Sequence, residues 1–245
     1  MWKRCGPACN KKPRGWKLAP ERSDIYQRLQ TEDGSPTLVH PVFGEAYSSR
    51  HGAWMQANEL YLKLTQTHRH PSPRVLEVGF GLGVNFRATL ENCLRRGVFF
   101  EYLSYEGYPV SRMILASVGV PLSPAAEQVW MDLLAIWPAH PRAPLRLEGF
   151  WGRLEVRFED VVAATMPSGW ATALYFDPFS PQVNPEPWQP GVLQKLFRAA
   201  GAGARLATYS VAGRFRRNLA AAGFAVSRVP GVGKKAWTLA EHAGE

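Results

Sequence analysis

The chain has 245 residues, 46% of them hydrophobic and 20% charged, a size and composition that fit one large domain with its own core. Three cysteines, Cys5, Cys9 and Cys93, cannot build a disulfide framework and point to a cytoplasmic rather than an extracellular setting. No apolar run approaches the roughly 18 residues that span a bilayer, and the opening Met1, Trp2, Lys3, Arg4 lacks the apolar core of a signal peptide. A net charge of +9 suits a polyanionic partner, although a solubilising surface would show the same excess.

Residues 1–30 read as a basic arm, with Lys3, Arg4, Lys11, Lys12, Arg14 and Lys17 broken up by glycine and proline. Cys5 and Cys9 have no second ligand pair at zinc spacing, so no metal site is expected. Residues 31–70 are expected to add strands and a helix packed on the core. The alternation of Leu38, His40 and Val42 suggests a hairpin or edge strand, and Met55, Leu60 and Leu64 space a helix over Ala53–His68.

From residue 71 the pattern changes. Six short β-rich runs, at 75–78, 102–105, 154–158, 173–176, 205–209 and 224–228, alternate with helical stretches. That order predicts an α/β fold with a parallel sheet covered by helices on both faces. An insertion at 121–151 carries a helix over Ala125–Ile136 and is either a lid or a long connection. Around the glycines at 231 and 233 the chain should form a terminal hairpin.

The richest segment is the strand Val75–Val78 running into Gly79, Phe80, Gly81, Leu82, Gly83, Val84 and Asn85 and then a helix. Glycines there allow a tight turn and close ligand approach, and a helix amino end offers free N–H groups. The spacing Gly-x-Gly-x-Gly differs from the dinucleotide fingerprint, and Glu77, two residues ahead, would repel a pyrophosphate but could hold an ammonium. These features suit S-adenosylmethionine, which carries an ammonium, a sulfonium and a ribose. Glu106 after the second strand could accept from ribose hydroxyls, and Glu159 or Asp160 after the third from an adenine amino group. The fourth strand ends at Asp177, followed by Pro178, Phe179, Ser180 and Pro181 and, further on, Trp188. An acid among stiffening prolines and aromatics suits a flat substrate and methylation of a nitrogen.

Taken together, Gly79–Phe86, Phe176–Trp188, Leu206–Gly213 followed by Arg216 and Arg217, and Gly231–Lys235 resemble the methyltransferase domain of the MnmC family, the bifunctional enzymes of tRNA 5-methylaminomethyl-2-thiouridine synthesis. Asp33–Leu38 and Gly44–Ala53 look like that family's opening strands. The resemblance implies a class I, Rossmann-like methyltransferase with a mostly parallel seven-stranded sheet, standing alone without the family's FAD oxidase domain. It implies transfer from S-adenosylmethionine, leaving S-adenosylhomocysteine, to 5-aminomethyl-(2-thio)uridine at wobble position 34 of the tRNA anticodon stem-loop. A separate enzyme would supply the aminomethyl precursor, with no metal, FAD or membrane involved.

On this reading Asp177 is the catalytic residue, orienting the amine and receiving or relaying its proton. Glu77, Gly79, Phe80, Gly81, Gly83, Asn85, Glu106, Glu159 and Asp160 hold the cofactor. Phe179, Ser180, Pro181 and Trp188 contact the flipped uridine, and Arg216, Arg217, Lys234 and Lys235 contact phosphates. Two rivals remain: an N-methyltransferase for another RNA or DNA base, and a non-catalytic basic RNA-binding module, which would bind no S-adenosylmethionine.

Overall fold

Five adjacent parallel strands carry the fold. The computed structural model describes residues 25–141, 143–232 and 236–244. Its elements are β1 (Gln27–Gln30), β2 (Pro36–Val39), α1 (Ala53–Gln56) running into a π-helical segment (Ala57–Lys63), β3 (Arg74–Val78), α2 (Val84–Arg96), β4 (Phe100–Tyr105), α3 (Arg112–Ala116), α4 (Pro124–Ile136), β5 (Leu145–Gly149), β6 (Gly152–Arg157), β7 (Ala171–Phe176), α5 (Pro190–Ala199), β8 (Ala200–Thr208), α6 (Gly213–Ala222), β9 (Ala225–Pro230) and β10 (Ala236–Glu241). The large sheet has the order β5-β6-β4-β3-β7-β8-β10-β9. The pairs β6/β4, β4/β3, β3/β7 and β7/β8 are parallel, whereas β5, β10 and β9 join antiparallel at the two edges.

The α/β architecture therefore matches the sequence reading, with one correction: among the described residues the sheet has eight strands, not seven. The additional strand is β5 in the 121–151 insertion, where Leu145 and Leu147 continue the pattern of β6 across a tight turn.

Burial explains the strand sequences. In β3, Val75, Leu76, Glu77 and Val78 are all buried, as expected for a strand covered on both faces. Val75 belongs to one buried cluster with Leu60, Phe86, Trp130 and Tyr175, to which α2, α4 and the π-helical segment contribute. Leu76 and Val78 pack with Leu193, Leu196, Phe215 and Leu219 on the face covered by α5 and α6.

The insertion is part of this core and not a lid. Ala126, Val129, Trp130 and Leu133 of α4 are buried. The buried Arg87 of α2 lies 4.2 Å from the Trp130 ring centroid and donates to the carbonyls of Leu82, Gly83 and Val118.

Two expectations about the first 70 residues change. Gln27–Gln30, assigned to the arm, pairs antiparallel with β2; residues 1–24 lie outside the described residues. The helix expected over Ala53–His68 is α-helical for one turn, then π-helical, and ends in a 3₁₀ turn at Thr67–Arg69. The β1–β2 hairpin is fixed to its start, since Asp33 accepts from the Met55 amide at 2.8 Å and Ser35 Oγ from the Ala53 amide at 2.9 Å, satisfying the helix's free amino-terminal donors. None of the described helices is long and apolar enough to cross a membrane.

Candidate active site

The chain runs outward from β3 through β4 to β6 and then returns to the other side of β3 with β7. Open sheets bind ligands at the carboxyl ends of the strands around such a reversal. The Gly79–Gly83 turn after β3 and Asp177 after β7 face each other there. Gly79 has φ +93°, and a Cβ on it would lie 2.7 Å from the Asp177 carbonyl oxygen, so glycine is required by the neighbouring backbone.

A cavity of about 960 Å³ opens at this edge, at the upper end of the usual range for ligand sites. Its wall includes Gly79, Phe80, Gly81 and Asn85 from the turn, Glu106 after β4, Glu159 and Asp160 after β6, and Asp177 and Phe179 after β7. Thus the ends of four adjacent strands contribute. Glu45 and Glu186 add two more carboxyls, and among the described lining residues there is no lysine or arginine. A protein with net charge +9 has an acidic cavity.

Phe43, Tyr47, Tyr108 and Phe179 give the wall an aromatic side: the Phe43 ring centroid lies 4.7 Å from that of Phe179 and 4.9 Å from that of Tyr108, and Tyr47 is 5.1 Å from Phe179. Glu45 fastens the segment after β2 to the loop after β7, because its carboxylate accepts from the Ser180 amide at 3.0 Å and from the Ser180 hydroxyl.

Glu106 is held by two backbone donors, Gly81 N–H at 2.7 Å and Tyr108 N–H at 2.6 Å. These pin the carboxylate to the glycine turn, yet burial still raises its pKa above the ordinary carboxylate value. Asp177 accepts from the Tyr61 hydroxyl at 2.5 Å and from the Asn85 amide at 2.9 Å, while burial pushes its pKa up to about 7. The same Asn85 amide donates to Glu77 at 3.0 Å, and Ser104 donates to the other Glu77 oxygen at 2.9 Å. Glu77 is pushed up to about 8, chiefly by burial.

The family described as S-adenosyl-L-methionine-dependent methyltransferase matches residues 124–242. The chain is 35% identical over 221 residues to the tRNA 5-methylaminomethyl-2-thiouridine biosynthesis bifunctional protein MnmC of Paraburkholderia phymatum, an alignment that takes in 83% of this chain and 33% of that protein. MnmC of Methylibium petroleiphilum is 36% identical over 214 residues, covering 83% of this chain and 32% of its own length. Residues 124–242 match the S-adenosyl-L-methionine-dependent methyltransferase family, and the chain is similar to the methyltransferase part of MnmC. It spans about a third of the length of these curated relatives. Among solved structures, MNMC2 from Aquifex aeolicus superposes with a TM-score of 0.71 at 24% identity, covering 93% of this chain and 73% of that one. A spermidine synthase in complex with the transition state analogue AdoDATO gives a TM-score of 0.50 at 13% identity, covering 91% and 73% of the two chains. These two likenesses bear on the fold.

The residues expected from the sequence do not all reach the cavity. Gly79, Phe80, Gly81, Asn85, Glu106, Glu159, Asp160, Asp177 and Phe179 come together on the cavity wall. Glu77 and Gly83, expected to touch the cofactor, lie behind the wall: Glu77 is fully buried between Asn85 and Ser104, and Gly83 makes room for Trp130. Trp188, expected beside the substrate, is buried under the loop, packs on Phe176 and Phe215, and donates to the Phe179 carbonyl at 2.8 Å.

Ser180 is taken up by Glu45, and Pro181 does not line the cavity. Arg217 is exposed and Arg216 half-buried on α6, which starts at the same sheet edge; Lys234 and Lys235 lie outside the described residues. Sequence reading misses Glu45, Phe43, Tyr47 and Tyr108, and above all Tyr61. Tyr61 sits 116 positions from the carboxylate it touches, in a segment whose only visible signal is helical spacing.

Proposed function

We propose that this chain transfers a methyl group to the amine of 5-aminomethyl-(2-thio)uridine at wobble position 34 of tRNA, giving 5-methylaminomethyl-(2-thio)uridine. The observation that carries the reading is an acid-lined, partly aromatic cavity with Asp177 in its wall, in a basic chain similar to the methyltransferase part of MnmC. Six carboxyls and no lysine or arginine among the described wall residues suit a cationic cofactor and an amine, and carboxylates disfavour a phosphate beside them. The phosphates of the RNA therefore stay outside while one base enters, as enzymes acting on a single base generally require. Arg214 and Arg217, exposed on α6, are placed to meet them.

The residues fit S-adenosylmethionine. The bare glycine turn gives close approach, Glu106 is fixed by two backbone donors where a ribose acceptor belongs, and Glu159 and Asp160 lie further along the same edge. When bound, the cofactor supplies a methyl group on a sulfonium, open to in-line displacement.

The nucleophile must be a neutral amine, whose conjugate acid resembles lysine with a pKa of about 10.4. Asp177 orients the amine by accepting from its N–H. With a pKa near 7 it is matched to take up the proton released on methylation at neutral pH. Phe43, Tyr108 and Phe179 provide flat apolar surface for the base and exclude water. The aminomethyl group has to be installed beforehand by another enzyme.

The test is methyl transfer from labelled S-adenosylmethionine to tRNA that carries 5-aminomethyl-(2-thio)uridine at position 34 but not its methyl group, followed by mass analysis of the nucleosides. Label in 5-methylaminomethyl-(2-thio)uridine supports the reading. Label in a different base would establish the rival N-methyltransferase, and cofactor binding with no label in any RNA would end the proposal.

A further inference from the structure

Asp177 has two side-chain donors, and they come from different elements. Asn85 belongs to the first turn of α2, next to the glycine turn, and also donates to Glu77. Tyr61 belongs to the π-helical segment Ala57–Lys63. Such winding is rare and is frequently found at functional sites. Tyr61 is fully buried, its ring lies 5.4 Å from that of Tyr175, and its own carbonyl accepts from Thr65 Oγ1 at 2.6 Å. Packed this way, its hydroxyl has one partner, Asp177 Oδ1.

We infer that Tyr61 is a positioning residue for methyl transfer: its hydroxyl, delivered by the π-helical turn, keeps the Asp177 carboxylate oriented and ionised so that it can accept from the substrate amine. The inference rests on the assignment of Asp177 as the proton acceptor. Burial alone disfavours the anion, and each hydrogen bond donated to the carboxylate opposes that effect. With Tyr61 on Oδ1 and Asn85 on Oδ2, each oxygen retains a lone pair for the amine.

The groups around Asp177 leave little ambiguity about what titrates. Facing it are Tyr61, Glu77 of β3, Tyr102 of β4 and Tyr209 after β8, and no cation among the described residues. All three tyrosines are pushed above their usual value by burial and remain neutral in the working range. Glu77 is likewise raised by burial and shares the Asn85 donor with Asp177, so these two carboxyls, and none of the tyrosines, are the groups that titrate there.

The experiment uses the full chain and two readouts. One is the pH dependence of methyl transfer to tRNA carrying 5-aminomethyl-(2-thio)uridine; the other is the infrared band of the protonated carboxyl, obtained as the difference between each protein and its Asp177→Asn counterpart. In Tyr61→Phe the rising limb of the rate and the loss of the carboxyl band should both move to higher pH by roughly one to two units, the equivalent of one hydrogen bond to a charged group. The rate should recover at high pH. Asn85→Ala, which removes the other donor, should move both in the same direction. A Tyr61→Phe protein that is slower at every pH, with limb and band unmoved, would overturn the inference and leave the proposed function intact. A wild-type protein that labels no tRNA but shows the band shift would overturn the function and leave the Tyr61–Asp177 coupling standing.

Discussion

Replacing Gly79 by alanine tests the site at its tightest point. The residue has φ +93°, and an added Cβ would sit 2.7 Å from the Asp177 carbonyl oxygen and 3.2 Å from its carbonyl carbon. Both atoms are backbone, at the end of a strand paired with β3, so neither can swing aside. Holding a non-glycine residue in such a conformation costs about 1–3 kcal/mol, and forcing extra volume into a packed region costs about 1–3 kcal/mol more. Together that is roughly 2–6 kcal/mol from a total stability of about 5–15 kcal/mol. At about 2–4 °C per kcal/mol for a chain of this size, Tm should fall by roughly 4–24 °C.

The added methyl points at the segment carrying Asp177 and not into the cavity. Relief therefore moves that carboxylate away from Tyr61 and Asn85, and kcat should fall further than S-adenosylmethionine affinity. Scanning calorimetry, cofactor titration and methyl-transfer kinetics on one preparation give all three numbers. A variant with wild-type Tm and wild-type kcat would refute the reasoning, and one that loses only cofactor affinity would show that the glycine serves the ligand instead.

Three further outcomes are expected. Glu106→Ala should weaken S-adenosylmethionine binding by about 10- to 150-fold, the loss of a charged acceptor worth about 1.5–3 kcal/mol, measured by calorimetry; unchanged affinity in the folded variant removes Glu106 from the ribose site. Asp177→Asn should abolish turnover while keeping cofactor affinity, and its stability should change with pH in a set direction. Because burial raises Asp177 from 3.8 to about 7, the folded protein holds a proton that the unfolded chain has released between those values, and stability falls as pH rises through that window. The variant's Tm should thus exceed that of the wild type at about pH 8 and converge with it only toward about pH 4, at the lower end of that window; parallel curves would contradict the shift. Finally, the double variant Arg216→Ala with Arg217→Ala should weaken tRNA binding and reduce the salt slope of log affinity by about 0.7–0.9 for each phosphate it no longer neutralises, leaving cofactor binding unchanged. An unaltered slope would place the RNA elsewhere.

Much of the site is legible in the sequence because strand ends are. Glycines closing β3 and acids following β4, β6 and β7 must share one sheet edge once the strands are parallel, and Glu106, Asp160 and Asp177 do so. What the sequence hides is which way a side chain turns. Glu77 stands two residues before the turn and reads as a ligand, yet its position in β3 points it at Asn85 and Ser104, inside the core. Trp188 reads as substrate-facing for its proximity to Asp177, but the 3₁₀ turn at Glu186–Trp188 tucks it beneath the loop. Tyr61 is illegible for another reason: a π-helical turn has the same composition as an α-helical one, and nothing local marks the change of phase.

The Glu45–Ser180 clasp also bears on how the cavity is assembled. One wall is made early on the ribosome and the other 135 residues later, so the first must wait, with Phe43 and Tyr47 uncovered, until the strand carrying Asp177 has paired beside β3. Pairings that distant in sequence close slowly, since the intervening chain has to be ordered before they form. The binding chamber is accordingly among the last features to mature during synthesis, and a nascent chain ending before residue 177 would have the glycine turn, Phe43, Tyr47 and Tyr108 but neither Phe179 nor an enclosed space.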